Sequence, residues 1–224
     1  MKISFHGATR TVTGSKHVVH LNDGRKLLLD CGMFQGMGKE TEPLNRNFGF
    51  EPTDIDAVVL SHAHIDHSGL LPKLVQEGYL KSIHCTPATK DLATLLMEDS
   101  AGIQANDIKF INKRRKQQDK PPLEPLYSED DAKAASALLI EHPYQEWFTV
   151  MKDVECMFTD AGHIIGSACV HLRIQEDGET KHLTFSGDIG RYRDAILRSP
   201  ETFPQADYII MESTYGNSLH DDVF

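Results

Sequence analysis

The sequence predicts an α/β protein in which short strands alternate with helices and polar residues cluster just past the strand ends. Apolar runs of four to six residues end in Gly, Asp or other small polar residues, which is typical of buried strands. They occupy residues 26–29, 57–60, 82–85, 154–159, 182–186 and 208–211. Helix-start signals between some of these runs complete the pattern, which favours a layered α/β fold.

The composition is that of a globular protein. The 224 residues are 40% hydrophobic and 25% charged, which excludes disorder, collagen and coiled coil. No apolar run approaches the ~20 residues of a spanning helix, and the first ten residues contain no apolar signal core, so we expect a cytoplasmic protein without a membrane partner. The four cysteines form no CxxC pair and lie in apolar runs, which predicts free buried thiols.

The net charge and the histidine count bear on function in different ways. A formal net charge of −10 repels nucleic acid on average, so a polyanionic substrate requires local positive charge. Twelve histidines are many for this length, and histidine is the commonest metal ligand. The positions of the histidines therefore decide between functions.

The N-terminal stretch, residues 2–29, resembles a hairpin because an Asn-Asp-Gly turn at 22–24 separates its apolar runs. We therefore expect that some strands of the protein pair antiparallel. Further along the chain, Thr86 is suited to cap a helix that begins at Pro87. The predicted apolar stripe of that helix consists of Leu92, Leu95, Leu96 and Ile103.

A second helix is predicted to begin at Ser128, which can form a capping pair with Asp131. Its apolar face would consist of Ala132, Ala135, Leu138 and Leu139. Residues 108–125 are polar and contain the basic run Lys-Arg-Arg-Lys at 113–116, so we expect them to form an exposed connection between the two helices.

The segment 61–69 carries the strongest functional signal. It reads Ser-His-Ala-His-Ile-Asp-His-Ser-Gly and follows a predicted strand. His62 and His64 are two residues apart and can point the same way, whereas Asp66 and His67 face a different centre, so the spacing suits two metal ions. Imidazole and carboxylate donors with no cysteine nearby are typical of catalytic metal sites that leave a position for water.

Three further residues at strand ends complete the candidate site. His163 and Asp188 lie in glycine-containing segments, and the carboxylate of Asp188 can offer one oxygen to each of two metals held ~3.5–4 Å apart. Asp30 is suited to accept a hydrogen bond from a ligand histidine and fix its tautomer. The competing interpretation of each residue alone is a helix cap or a turn residue.

The motifs of this chain resemble those of the metallo-β-lactamase superfamily: an aspartate at 30, HxHxDH at 62–67, a histidine at 163 and an aspartate at 188. The EST-Y-G run at 212–216 resembles the entry to the β-CASP branch, which includes RNA-processing nucleases. The resemblance extends from the Gly7–Ser15 motif to the last motif. It implies an αββα sandwich.

The resemblance also implies a role for each site residue. His62, His64 and His163 would hold one Zn²⁺ and Asp66 and His67 the other, with Asp188 bridging them and Mn²⁺ as a possible substitute. The expected catalytic residues are Asp66, Asp188 and Glu212. Asp66 could orient water or accept its proton, and Glu212 matches an acidic motif that orients a histidine further along the chain. Independently of the resemblance, Arg191 and Arg193 follow Asp188 closely and are candidate phosphate contacts.

By the same resemblance, residues 1–224 correspond to the N-terminal part of the metallo-β-lactamase domain. The β-CASP domain is expected to begin after about residue 216 and to be absent, which would leave the fold and the second metal site incomplete. We therefore expect weak or no activity from this chain alone.

The implied function is hydrolysis of phosphodiester bonds in RNA, or in single-stranded DNA, by a water that two metals activate. One alternative is a small-molecule thioester or lactone hydrolase, because the same metal pair can polarise a carbonyl; the run at 212–216 argues against it. The other alternative is a noncatalytic metal-binding module. A homo-oligomer is compatible with each of these.

Overall fold

The computed structural model describes residues 1–218, which form two β-sheets and five α-helices. The first sheet contains, in spatial order, β1 (Lys2–Phe5), β2 (His17–His20), β3 (Lys26–Leu29), β4 (Ala57–Val59), β5 (Ile83–Cys85) and β6 (Leu139–Glu141). The second contains β7 (Phe148–Met151), β8 (Val154–Asp160), β9 (Ala168–Glu176), β10 (Glu179–Phe185) and β11 (Tyr208–Ile210). The helices are α1 (Thr41–Arg46), α2 (Ile65–Ser68), α3 (Leu71–Gln76), α4 (Pro87–Lys116) and α5 (Glu129–Ala137).

Strand pairing in the first sheet includes the predicted antiparallel hairpin. Strands β1, β2 and β3 pair antiparallel, and the turn between β2 and β3 contains Gly24 at φ +95°, a conformation that glycine adopts without strain. Strands β3 to β6 are parallel. In the second sheet β7 to β10 are antiparallel and only β11 joins in parallel. The carboxyl ends of β3, β4 and β5 therefore point to one edge of the first sheet.

Two apolar clusters hold these layers together. One lies between the first sheet and helices α3, α4 and α5, where Val58 of β4 joins Leu74, Met97 and Ala135. The other lies between the sheets, where Leu27 and Val59 of the first sheet share a cluster with Phe158 and Leu172 of the second. The predicted α/β class is confirmed. Residues 1–218 form one helical layer and both sheets, and no helix among them provides the second helical layer of an αββα sandwich.

Helix α4 is longer than the sequence predicted. The prediction of an exposed connection over 108–125 is wrong for residues 108–116, which are helical. This segment contains no Gly or Pro, and its basic residues lie in the last turn, where positive charge complements the helix dipole. The side chain of Asn112 also ties the helix to the returning chain, because it donates to the Leu123 carbonyl at 2.9 Å and accepts from the Leu123 amide at 2.8 Å.

The buried face of α4 also differs from the predicted stripe. Leu95 and Ile103 are 64% and 53% exposed, while Leu92 and Leu96 are only partly buried. The fully buried positions are Thr89, Ala93, Met97 and Ala101, spaced four residues apart. Two of these four positions are alanines, which let the helix approach the sheet closely, and the leucines lie at the flanks of the row.

The start of α5 is as predicted, with reciprocal hydrogen bonds between Ser128 and Asp131. Ala132 and Ala135 are buried, but the prediction that Leu139 belongs to the same helical face is wrong because Leu139 begins β6. All four cysteines are free and buried, as expected. Within residues 1–218, none of the helices combines the length and apolar character that crossing a bilayer requires.

Candidate metal centre

The candidate metal ligands follow strand ends in both sheets. His62 and His64 lie in the segment between β4 and α2, His163 follows β8, and Asp188 follows β10. Two glycines allow the last two segments to meet, because a Cβ on Gly190 would lie 1.7 Å from the carbonyl oxygen of Gly162. The sheet ends therefore bring together residues that are about a hundred positions apart in the sequence.

Three histidine nitrogens converge on one point. Nδ1 of His64 lies 3.1 Å from Nε2 of His62 and 3.1 Å from Nε2 of His163. Oδ2 of Asp188 lies 3.8 Å from Nε2 of His62 and 3.5 Å from Nε2 of His163. Within residues 1–218, these four side chains form the group of potential ligands whose atoms all lie within 4.8 Å of one another.

The chemistry of this donor set fits a divalent cation. Nδ1 of His64 can carry only one proton, which cannot form hydrogen bonds to Nε2 of both His62 and His163. Nitrogen lone pairs are therefore left pointing at a common centre. Nδ1 of His62 lies 3.0 Å from the Ser61 hydroxyl, which leaves Nε2 for a metal. Burial, and secondarily the neighbouring histidines, lowers the pKa of His62 well below its ordinary value. Burial likewise lowers the pKa of His64, so both rings are held in the neutral form that binds metals.

His67 faces the other oxygen of the shared carboxylate. Its Nε2 lies 3.2 Å from Oδ1 of Asp188 and 3.8 Å from Oδ2 of Asp66. Burial acts to lower the pKa of His67, but the Asp30 and Asp188 carboxylates outweigh it and raise the pKa to about 10. Burial acts to raise the pKa of Asp188, but its hydrogen bond with His67 leaves the pKa below the ordinary value. Asp188 therefore presents one oxygen to each set of donors.

Asp30 lies behind His67, fully buried at the end of β3. Its Oδ2 is 2.6 Å from Nδ1 of His67 and accepts from the hydroxyls of Ser61 at 2.9 Å and Ser15 at 3.2 Å. Its Oδ1 accepts from the Ser61 amide at 2.8 Å. With Nδ1 of His67 donating to this carboxylate, Nε2 is the nitrogen that faces Asp66 and Asp188.

Glu212 lies beside the segment that carries Asp188. Its Oε1 accepts a hydrogen bond from the Ile189 amide at 2.7 Å, and its own amide donates to the Ser186 hydroxyl at 3.1 Å. Glu212 therefore holds the residues on both sides of Asp188, a contact that the sequence did not predict.

Arg191 and Arg193 are exposed, and neither lines the cleft that opens beside His67 and Asp188. Their contact with phosphate therefore stays a prediction.

A cleft of about 470 Å³ opens beside His67 and Asp188. One wall is formed by residues 8–12 and the opposite wall by residues 210–214. The Gly7–Ser15 motif was noted in the sequence only for its resemblance to a family. Its position on the wall of the cleft was not predicted. The available signal was a run of small and hydroxyl-bearing residues around a single arginine, Arg10.

Comparison with known proteins gives one family match and several similar proteins, two of which are named as ribonucleases. A family profile described as "Metallo-beta-lactamase superfamily" matches residues 14–217. "Ribonuclease TTHA0252" of Thermus thermophilus is 39% identical over 220 residues, which are 98% of this chain and 45% of that protein. "Probable RNase MJ4" of Methanocaldococcus jannaschii is 34% identical over 227 residues, covering 99% of this chain and 47% of that protein.

A second group of relatives is named for transcription termination. "Transcription termination factor FttA" of Methanocaldococcus jannaschii is 32% identical over 225 residues, covering 100% of this chain and 32% of that protein. The chain thus spans from about a third to just under half of the length of these curated relatives. In each of them the match covers nearly all of this chain.

Proposed function

The chain belongs to the metallo-β-lactamase superfamily, and from this premise we propose that it is the metal-binding part of a hydrolase that cleaves phosphodiester bonds in RNA. The observation that carries the proposal is the convergence of His62, His64, His163 and Asp188 at the edge of an open cleft. Relatives named as ribonucleases, similar over nearly the whole chain, support RNA as the substrate.

We assign two divalent cations to this site. His62, His64 and His163 would hold one and Asp66 and His67 the other, with one oxygen of Asp188 towards each. Imidazole and carboxylate donors suit Zn²⁺, and Mn²⁺ is the alternative. When bound, such cations act as Lewis acids towards phosphate oxygens and lower the pKa of water in the site.

Three acidic side chains would orient the other groups of the site and contribute negative charge to it. Asp66, whose side chain is 19% exposed, is placed to orient a water or accept its proton. Asp30 fixes the ring of His67, and Glu212 holds the segment that carries Asp188. The second set of donors contains fewer ligands than the first, so we expect the second cation to bind more weakly and turnover by this chain to be weak.

The proposal includes a cytoplasmic location, which four free buried cysteines support. Single-stranded DNA is the alternative polymer substrate, because metal-assisted cleavage of a phosphodiester does not require a 2′-hydroxyl. A thioester or lactone hydrolase and a noncatalytic module remain the competing functions, and a homo-oligomer stays a prediction.

The experiment that tests this function loads the chain with Zn²⁺ or Mn²⁺ and follows a labelled single-stranded RNA, the DNA of the same sequence, and a model thioester and lactone. We expect slow RNA cleavage that EDTA and His64→Ala abolish, while His182→Ala, a change at a partly buried histidine outside the site, leaves it intact. Hydrolysis of the thioester or lactone alone would contradict the proposal, and so would failure of the chain to bind either metal.

A further inference from the structure

The structure points to a substrate contact on the wall of the cleft opposite Glu212. We propose that Arg10 binds a backbone phosphate of single-stranded RNA next to the phosphodiester that reaches the metal ligands. This inference rests on the proposed function and adds a specific anion-binding residue to it. Within residues 1–218, Arg10 is the only lysine or arginine that lines the cleft.

The position of Arg10 relative to the metal ligands suits such a contact. The cleft runs from His67 and Asp188 between the segment that carries Arg10 and the opposite wall, which contains Ser213 and Thr214. A nucleic-acid strand that places one phosphate at His67 and Asp188 would bring a neighbouring phosphate within reach of a long arginine side chain. The hydroxyl groups of the opposite wall can donate further hydrogen bonds to the same backbone.

The segment that carries Arg10 is braced at its base. A Cβ on Gly7 would lie 1.8 Å from the carbonyl oxygen of Gly14, so the two backbone segments are in direct contact. The His6 amide donates to the Lys16 carbonyl at 2.8 Å, and the Ala8 amide donates to the Thr13 carbonyl at 3.3 Å. These contacts close residues 8–13 into a compact loop that holds its tip in one place.

Two anchors fix this loop to the rest of the molecule. The Thr13 hydroxyl donates to the Gln35 carbonyl at 3.1 Å and accepts from the Gln35 amide at 2.9 Å. The fully buried ammonium of Lys16 donates to the carbonyls of Gly14 at 3.1 Å and Gly32 at 2.8 Å. Gly32 in turn packs against Asp66, because a Cβ there would lie 1.6 Å from the Asp66 carbonyl oxygen. The loop is therefore coupled to the metal-binding segment.

The backbone of the loop is unusual. Ala8 and Arg10 have φ angles of +48° and +60°, a region that residues other than glycine rarely adopt. Such conformations persist only where surrounding contacts impose them, and they concentrate at binding and catalytic sites. Here the imposed conformation leaves Arg10 exposed on the wall of the cleft.

The charge of Arg10 is not neutralised within residues 1–218. Arg25, Arg46 and Arg173 each pair with a carboxylate, whereas Arg10 has no carboxylate partner in this part of the chain. Because the net charge of the protein is −10, the rest of its surface attracts phosphate only weakly on average. A guanidinium with free donors beside the metal ligands is therefore well suited to bind it, since arginine matches phosphate geometry with two parallel hydrogen bonds.

The test measures binding rather than turnover. The Zn²⁺-loaded chain is titrated into a fluorescently labelled phosphorothioate uridine 12-mer, which resists cleavage, at several salt concentrations. Arg10→Ala is compared with Arg10→Lys and with Arg114→Ala. Arg114 is equally exposed but lies near the far end of α4, roughly 40 Å along the helix from the end that contacts the His163 segment through Thr86 and Gly166.

We expect Arg10→Ala to weaken binding about tenfold and to reduce the slope of log affinity against log salt by about 0.7, the loss of one phosphate contact. Arg10→Lys keeps the charge, so its slope should match that of the wild type while its affinity falls about threefold. Arg114→Ala should change neither quantity. Unchanged affinity and slope in Arg10→Ala, with clear binding by the wild type, would overturn this inference alone. No binding by the wild type would overturn the proposed function with it.

Discussion

Oδ2 of Asp30 lies 2.6 Å from Nδ1 of His67, although the two residues are 37 positions apart in the sequence. The contact is buried, and the same carboxylate accepts hydrogen bonds from Ser15 and Ser61. The contact fixes which nitrogen of His67 faces Asp188. It also places the negative charge of the Asp30 carboxylate next to Nδ1 of the ring. Asp30 thus links the loop before β2 and the segment after β4 to one candidate metal ligand.

Replacing Asp30 by Asn should weaken the binding of the second cation by about 10- to 100-fold, because the histidine loses the charged acceptor that orients it. Asn tolerates the φ of +57° at this position, so the backbone should be preserved. Competition titration with a zinc-binding dye measures the two affinities separately. Asp54→Asn, at an exposed carboxylate paired with Lys26, is the control. An unchanged second affinity in Asp30→Asn would contradict the role of Asp30.

His163→Ala should reduce the bound metal by about one equivalent per chain. The reason is that His62 and His64 come from one segment, while His163 and Asp188 follow strands of the second sheet and complete the group of four potential ligands. Without His163, three of these ligands remain. Elemental analysis after dialysis gives the stoichiometry. His20→Ala, on β2 outside this group, should keep the wild-type content. Equal metal content in both variants would show that the cation does not bind at these nitrogens.

Removing the side chain of Glu212 should loosen the segment that carries Asp188. In Glu212→Ala the Ile189 amide loses its acceptor, so we expect faster hydrogen exchange at residue 189 and metal binding about tenfold weaker. Glu212→Gln retains an acceptor oxygen and should show a smaller change in both measurements. Glu179→Ala, on an exposed position of β10, is the control. If exchange at residue 189 stays slow in Glu212→Ala, the hydrogen bond does not hold the segment.

His171 should make the protein sensitive to acid. Its ring nitrogens lie 2.8 Å from the Thr159 hydroxyl and 3.0 Å from the Thr184 hydroxyl, and burial lowers its pKa to about 4. The unfolded chain takes up this proton near pH 6.5, so stability is lost as the pH falls from about 6.5 towards 4. Between pH 6.5 and 5 we expect a loss of about 2 kcal/mol from this group.

Urea unfolding at pH 7 and pH 5 measures this dependence. His171→Gln cannot titrate, so its free energy of unfolding should change less between the two pH values than that of the wild type. His182→Gln alters a histidine that is only partly buried on the same sheet and should behave as the wild type does. The prediction fails if His171→Gln and the wild type lose the same stability on acidification.

Several elements could be predicted because their signals are local. The strand ends before Asp30 and Ser61, the capping pair at Ser128 and the hairpin turn each depend on a few neighbouring residues. Strand β9 was missed although Val170, Leu172 and Ile174 alternate with polar residues and point between the sheets. The structure adds that His171, on the other face of this strand, is buried and hydrogen-bonded to the hydroxyls of Thr159 and Thr184.

The sequence alone determined the types of donor atoms and the segments that carry them, because the spacing of His62, His64, Asp66 and His67 is written in six consecutive residues. Tertiary structure alone decided that Asp188 faces both donor sets, that Glu212 holds its segment and that Arg10 lines the cleft. These relationships join residues from different sheets and loops. They depend on how two sheets pack and where their ends meet, which no local pattern of side chains specifies.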